Sequence, residues 1–310
     1  MPELPEVETV RAGLAPALSG AVIEQVDVLD ARSLKRHPGG VEDFKQTLIG
    51  SKVLAVVRRG KFLWLPLEAN SATVGNHRLA LVGHLGMSGQ MLLRTPGFSE
   101  DKLTRVIIKA RQQDGELIEF RFIDQRIFGS LAIEALVETA DSKPGGFSNG
   151  LSGWWLNLIP ISAAHIARDP LDPDFDEKAV LAKFKKKNSG IKRVLLDQQT
   201  LSGIGNIYAD ESLWRSKLHY DQPAASLSTA KAKELLQHVR DILAKAVAEG
   251  GTSFDEQYKN VNGESGYFAV SLNAYGMTGS PCDRCGTPIK RDSWMNRGSH
   301  FCPRCQKLKA

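Results

Sequence analysis

All four cysteines of this 310-residue chain lie in its last thirty residues, as Cys282-x2-Cys285 and Cys302-x2-Cys305, with sixteen residues between the pairs. That spacing suits two knuckles of a β-hairpin closing tetrahedrally on one Zn²⁺. Two disulfides are the rival pairing, and they belong to oxidising compartments. The chain shows no cationic segment leading into a long apolar stretch, so no secretory signal is expected and zinc is favoured. Four thiolates leave no open position on the metal, so the ion is expected to be structural, stiffening a hairpin too small to own a core. Between the pairs, Asn296-Arg297-Gly298 reads as the hairpin tip. An arginine there is either a phosphate clamp or an ordinary surface side chain.

The rest of the chain is long enough for two domains, and 42% hydrophobic residues can build their cores. No apolar run approaches the roughly 20 residues needed to span a bilayer, so a cytoplasmic protein without membrane contact is expected. The net charge is only +5, but it is unevenly spread. Residues 281–310 hold seven Lys/Arg against Asp283 and Asp292, an excess as large as that of the whole chain. Residues 178–193 hold Lys178, Lys183, Lys185, Lys186, Lys187, Lys192 and Arg193 and no acid. Either cluster alone reads as a solvated face, whereas the two together suggest a groove for a polyanion.

Periodicity divides the chain. From Pro5 to about Leu18, Val7, Val10, Leu14 and Leu18 form a helical stripe that Ser19-Gly20 ends. Strands are expected around Val22–Val28, Val53–Val57, Phe62–Leu65, Leu79–Val82, Val106–Ile108 and Leu117–Phe122, with the basic turn Arg58-Arg59-Gly60-Lys61 between two of them. The first half is therefore expected to be an antiparallel, sandwich-like β domain. Residues 138–153, with Lys143-Pro144-Gly145-Gly146 and Asn149-Gly150, read as a linker or exposed insertion, and Trp154-Trp155 after it suggests no mechanism. Helices are then expected over Lys178–Lys187, Ile191–Gln199, Ile207–Lys217 and about Thr229–Glu249. Gly203-Ile204-Gly205-Asn206 joins two of them, with glycines that would let backbone amides at a helix N-terminus meet a phosphate.

The chain opens Met1-Pro2-Glu3-Leu4-Pro5-Glu6-Val7-Glu8. If Met1 is removed, Pro2 presents a secondary α-amine that titrates near about 8, leaving a nucleophilic fraction at physiological pH. Attack on a sugar C1′ would give an iminium, an electron sink for eliminations, with Glu3 beside it to exchange a proton. The alternative is that Pro2 and the acids merely open a helix.

These motifs together resemble the formamidopyrimidine-DNA glycosylase family, and the resemblance spans most of the chain. It implies an α+β multidomain fold: a catalytic β-sandwich over residues 1–137, a linker or insertion over 138–175, a helix-two-turn-helix DNA-binding domain over 176–270 and a four-cysteine zinc-finger hairpin over 271–310. Pro2 would be the nucleophile, Glu3 the acid that helps open the sugar, and Glu6 a supporting carboxylate. Lys61 resembles the hairpin lysine given a proton-transfer role in β-elimination, and Arg297 the zinc-finger arginine associated with phosphate binding and δ-elimination. Lys187, Lys192 and Asn206 match DNA-contacting positions.

His84-Leu85-Gly86-Met87-Ser88-Gly89 resembles the loop whose methionine fills the void left by an extruded nucleotide. Asp124-Gln125-Arg126-Ile127-Phe128-Gly129 resembles its companion, in which Arg126 would pair with the orphaned base and Phe128 would wedge between bases. Taken singly, Met87 and Phe128 also suit a core. The second loop departs from the family's Asp-Pro-Arg-Arg-Phe-Gly at Gln125 and Ile127. Near residue 103, where the family often has a DNA-contacting histidine, the chain has Leu103-Thr104-Arg105, with Arg105 a candidate substitute. Gly263 to Phe268 falls where the family has a mobile loop over the flipped base.

The expected partner is double-stranded DNA carrying oxidised purines or abasic sites, and a monomer would suffice. The expected activity is a bifunctional glycosylase and AP lyase of base excision repair, acting on 8-oxoguanine and formamidopyrimidines. An endonuclease VIII-like enzyme for oxidised pyrimidines is one rival, disfavoured by Leu4 and by the Met87/Arg126/Phe128 set. A non-catalytic zinc-finger module that binds damaged DNA is the other, disfavoured by Pro2, Glu3 and Lys61 together.

Overall fold

The first apolar stripe folds as the periodicity predicts: α1 spans Leu4–Leu18, with Val7, Val10, Leu14 and Leu18 all buried. The structure, a computed structural model, describes residues 2–69, 78–99, 101–252, 261 and 271–309. The chain divides into two compact units, one of residues 1–2, 6–165 and 253–266 and the other of 3–5, 166–252 and 267–310. The opening residues of α1 thus belong to the second unit.

The first unit is an antiparallel β structure. Its strands are β1 (Val22–Val28), β2 (Lys52–Val53), β3 (Val57–Arg59), β4 (Phe62–Glu68), β5 (Leu79–His84), β6 (Gly89–Arg94), β7 (Thr104–Arg111), β8 (Leu117–Asp124), β9 (Ser130–Glu138) and β10 (Leu158–Pro160). They run in the order β10-β9-β5-β4-β2-β1-β7-β8-β6, with β3 also paired to β4. The two-residue β2 is the corner at which the sheet folds over itself, so that Leu63, Leu65, Leu81 and Leu131 share one core with Ile23, Val106, Ile108, Phe120 and Phe122. Helix α1 packs into that core. The alternation of β4 sends Trp64 to its other face, where it meets Trp155 and Leu158 in a second cluster.

Three local features depart from the strand pattern read in the sequence. The continuous Val53–Val57 strand is broken: four residues from Val53 to Val57 oppose a three-residue step from Leu67 to Trp64, which is a bulge. Residues 40–48, which lie between the expected strands, form α2 (Gly40–Leu48), because Phe44 and Leu48 sit four apart and bury one helical face. β6 and β9 have no counterpart in that pattern: β6 opens on Gly89 and holds no β-branched residue, and β9 holds only Ile133 and Val137.

The second unit is helical, with α3 (Glu177–Lys185), α4 (Ile191–Leu195), α5 (Asn206–Arg215) and α6 (Thr229–Ala248), followed by the hairpin β11 (Lys290–Trp294) and β12 (Arg297–Phe301). Asp176 caps α3 through Ala179 N–H at 2.9 Å, and Ser228 caps α6 through Lys231 N–H at 3.1 Å. Leu4 joins Phe184, Ile204, Tyr208, Leu235 and Leu243 in its core. Among the described residues, no helix is long and apolar enough to cross a membrane.

Candidate active site and nucleic-acid interface

In the second unit, the Gly203-x-Gly205 turn accommodates the chain's own N-terminus. The Glu3 carboxylate accepts from the Gly205 N–H at 2.5 Å and the Ile207 N–H at 2.9 Å, and Leu4 N–H donates to the Gly203 carbonyl at 2.9 Å. A Cβ on Gly205 would lie 2.3 Å from Glu3 Cδ, and one on Gly203 2.7 Å from Leu4 Cδ1. The glycines are therefore explained by close approach of residues 3 and 4. This corrects the expectation that these amides meet a phosphate, since at the N-terminus of α5 the negative group is Glu3, held where the helix dipole favours it. Pro2, buried, precedes it in the chain.

Lys192 requires a second correction. Expected on DNA, it is fully buried, and its ammonium is committed to Asp210 Oδ1 at 2.6 Å, Ser299 Oγ at 3.0 Å and the Gly298 carbonyl at 3.2 Å. Burial lowers its pKa, against the opposing pull of Asp210. The same Gly298 carbonyl accepts from Asn206 Nδ2 at 3.0 Å, and Asp210 Oδ2 accepts from His300 N–H at 2.9 Å. Lys192, Asn206 and Asp210 thus grip the strand that begins with Arg297. Arg297 itself is exposed, and it starts β12; the two-residue tip is Met295-Asn296, with φ of 45° and 59°, rather than the expected Asn296-Arg297-Gly298. Lys187 is partly exposed and pairs with Asp197 at 2.5 Å. Asp210 and Glu211 carry structure that sequence reading missed: Glu211, buried, accepts the successive N–H groups of Asn273, Ala274 and Tyr275. Two acids in the otherwise apolar run after Asn206 were the available signal.

The four cysteines come together as spaced. Their sulfurs lie within 4.8 Å of one another, and Trp214 Nε1 donates to Cys282 Sγ at 3.4 Å. Cys282, Ile289 and Cys302 are buried as a small cluster. Four sulfurs with no other donor fit a tetrahedral, structural Zn²⁺.

In the first unit, Lys61 is half-buried in the turn between β3 and β4, where Gly60 takes φ 56°. The segment left without a role in the sequence braces that turn. Phe147 and Arg58 exchange backbone hydrogen bonds of 2.8 and 3.1 Å, and a Cβ on Gly146 would come within 2.5 Å of the Arg58 carbonyl oxygen. Arg58 Nε in turn donates to Glu8 at 2.7 Å. Glu6 is buried in the first turn of α1, and Trp155 is core whereas Trp154 is exposed.

Met87 and Phe128 are 41% and 44% exposed, so neither serves as core. They stand on neighbouring loops, and the exposed Arg126 stacks its guanidinium 4.6 Å from the Phe128 ring. His84 accepts from the Gly86 N–H at 3.2 Å, and burial, with Arg36 and Lys35 adding to it, depresses its pKa to about 4. Arg105, weighed as a histidine substitute, is turned inward, donating to the Asp124 carbonyl at 2.8 Å and to Asp30 at 3.2 Å. Leu103 is exposed with φ 66°. The Gly263–Phe268 loop lies outside the described residues.

A β-sandwich bearing exposed apolar residues on paired loops, a helical unit whose N-terminal turn holds an N-terminal carboxylate, and a four-cysteine hairpin define a DNA-repair glycosylase of the helix-two-turn-helix class. Residues 1–131 match the formamidopyrimidine-DNA glycosylase N-terminal domain, residues 166–257 its H2TH domain, and residues 279–308 the zinc finger found in FPG and IleRS. A formamidopyrimidine-DNA glycosylase of Leifsonia xyli subsp. xyli is 54% identical over 308 residues, covering 99% of this chain and 100% of its own. One from Salinispora arenicola is 49% identical, covering 99% and 96%. Lactococcus lactis Fpg in complex with an abasic-site DNA superposes with a TM-score of 0.78 at 30% identity, covering 98% of this chain and 99% of its own. MutM in complex with carbocyclic 8-oxo-G DNA gives 0.78 at 31%, covering 99% and 100%. The chain belongs to the formamidopyrimidine-DNA glycosylase family.

Proposed function

We infer that the chain is a bifunctional DNA glycosylase and AP lyase that removes oxidised purines, 8-oxoguanine and formamidopyrimidines, in base excision repair, and we assign its residues as follows. Pro2, freed of Met1, attacks C1′ while Glu3 exchanges the proton that opens the sugar ring. The base departs, and a C1′ iminium remains. Loss of a C2′ proton, in which Lys61 takes part, expels the 3′ phosphate, and a second elimination assisted by Arg297 expels the 5′ phosphate. Met87 fills the place of the extruded nucleotide, Arg126 pairs with the orphaned base, Phe128 wedges between bases, and Lys187 adds an electrostatic contact to the backbone. Lys192 and Asn206 act through the strand they hold. In this reading residues 1–137 form the catalytic half, 138–175 the brace and linker, 176–270 the helix-two-turn-helix part and 271–310 the zinc finger. The chain works in the cytoplasm, where its DNA is.

The observation that carries the reading is the capture of Glu3 by Gly205 and Ile207, which pins residue 3, and with it the adjoining Pro2, to the N-terminus of α5. Borohydride trapping on a duplex with 8-oxoguanine opposite cytosine tests it. The expected result is an adduct mapped to residue 2 in the wild type and lost in Pro2→Gly. No adduct on that duplex, but one on a thymine glycol duplex, would refute the purine assignment.

A further inference from the structure

The two loops assigned to the gap in the base stack are poorly equipped to hold themselves. The second lacks proline, and Ile127, a β-branched residue, sits at φ 53°, a conformation that must be imposed from outside. Three contacts impose it. Lys35 Nζ donates to the Ile127 carbonyl at 2.6 Å, Asp124 Oδ2 accepts from the Gly129 N–H at 2.7 Å, and Asp124 Oδ1 accepts from the Arg126 N–H at 3.2 Å.

The same Asp124 Oδ1 accepts from Ser88 Oγ at 2.5 Å, and Ser88 Oγ itself accepts from the Arg126 N–H at 3.2 Å. Asp124 has no exposed surface, so this carboxylate is a fixed junction between the Met87 loop and the Arg126–Phe128 loop. The backbones touch as well. A Cβ on Gly86, which has φ 62°, would lie 2.5 Å from the Phe128 carbonyl carbon and 2.6 Å from Gly129 N.

We propose that Asp124 and Ser88 are positioning residues that lock the void-filling Met87 to the Arg126–Phe128 wedge, so that the two enter DNA at one fixed separation. The proposal rests on the assignment of Met87, Arg126 and Phe128 as DNA contacts. A pre-ordered pair of loops has no ordering cost left to meet on binding. Uncoupling them therefore weakens engagement of the lesion duplex and loosens the place of Arg126 against the partner base. The sugar chemistry at Pro2 is untouched.

The test is steady-state excision from 8-oxoguanine opposite cytosine and opposite adenine, alongside cleavage of an abasic site in a single-stranded oligonucleotide, which has no stack to fill. Ser88→Ala should raise KM on the cytosine duplex about tenfold, the size expected for loss of one hydrogen bond to a charged group. It should leave kcat at its wild-type level, shrink the cytosine-over-adenine preference and spare single-strand cleavage. Ser88→Thr, which keeps the hydroxyl, should restore KM and preference. Wild-type KM and preference in Ser88→Ala, or loss of single-strand cleavage in step with the duplex, would overturn the proposal. Met87→Ala separates the two levels: if it matches wild type on the duplex, the gap-filling assignment falls and the lock with it. If it is impaired while Ser88→Ala is not, only the lock falls.

Discussion

Replacing Gly205 by alanine isolates the placement of Glu3. Gly205 has φ −123° and ψ −158°, extended backbone open to any residue, so the substitution brings no conformational strain. What it does bring is a methyl group 2.3 Å from Glu3 Cδ and 2.4 Å from Oε1, against a side chain that is 3% exposed and has nowhere to retreat. The carboxylate must withdraw and give up at least one of its two N–H donors. A hydrogen bond to a charged group contributes about 1.5–3 kcal/mol, which corresponds to about 10- to 150-fold in rate if it is lost from the step Glu3 serves. Single-turnover excision of 8-oxoguanine opposite cytosine should slow by that factor, with KM for the duplex little changed. Melting temperature should also fall, and the fall should vanish when Gly205→Ala is introduced into Glu3→Ala, where the colliding atoms are gone. An excision rate indistinguishable from wild type, or a melting penalty that persists without the Glu3 side chain, would refute the argument that this glycine exists to admit Glu3.

Lys192→Met should leave Asp210 buried without its cation and cost about 3–5 kcal/mol of stability, read by denaturant unfolding. The slope of log K against log salt for DNA binding should not change, whereas a phosphate contact would reduce it by about one. His84, depressed to about 4, stays neutral in the fold while the unfolded chain takes up a proton near about 6.5, so its stabilising contribution is present above that pH and drains away as pH falls toward 4. His84→Gln should flatten the melting-temperature profile across that window; a profile that keeps its slope would count against the burial argument. Gly146→Val forces the 138–155 segment off the Arg58 carbonyl and should slow strand cleavage at a preformed abasic site through Lys61, while base excision falls less. An equal loss in both would mean general unfolding instead of a displaced turn.

Much of the site was legible as residue types. Four cysteines at that spacing imply a metal hairpin in almost any fold, because the chemistry of four thiolates is local. A proline at position 2 beside a glutamate is compatible with amine chemistry and equally with the opening of a helix, and only its company with the other family motifs favours the first. The α1 stripe was equally plain, since four apolar residues at helical spacing can be buried in few other ways. Residue type misled where a partner lay far along the chain. Lys192 read as a DNA contact because it stands in the basic 178–193 cluster and matches a DNA-contacting position of the family, and its enclosure depends on Asp210 and on Ser299, 107 residues later. Asp124 was visible inside a motif but had no role until Ser88, 36 residues earlier, stood beside it.

By itself, the sequence determined which elements could form, where the zinc ligands lie and which groups could perform the chemistry, because helical period, alternation and donor type are properties of short stretches. Only the tertiary structure decided what each basic or glycine position faces. It turned the Gly205 and Ile207 amides toward Glu3, made Asn206 and Lys192 holders of the Arg297 strand, and set residues 144–147 behind the Lys61 turn. These outcomes rest on contacts between segments tens to hundreds of residues apart, and such contacts form only when burial of the two cores has fixed the positions of the strands and helices that carry them.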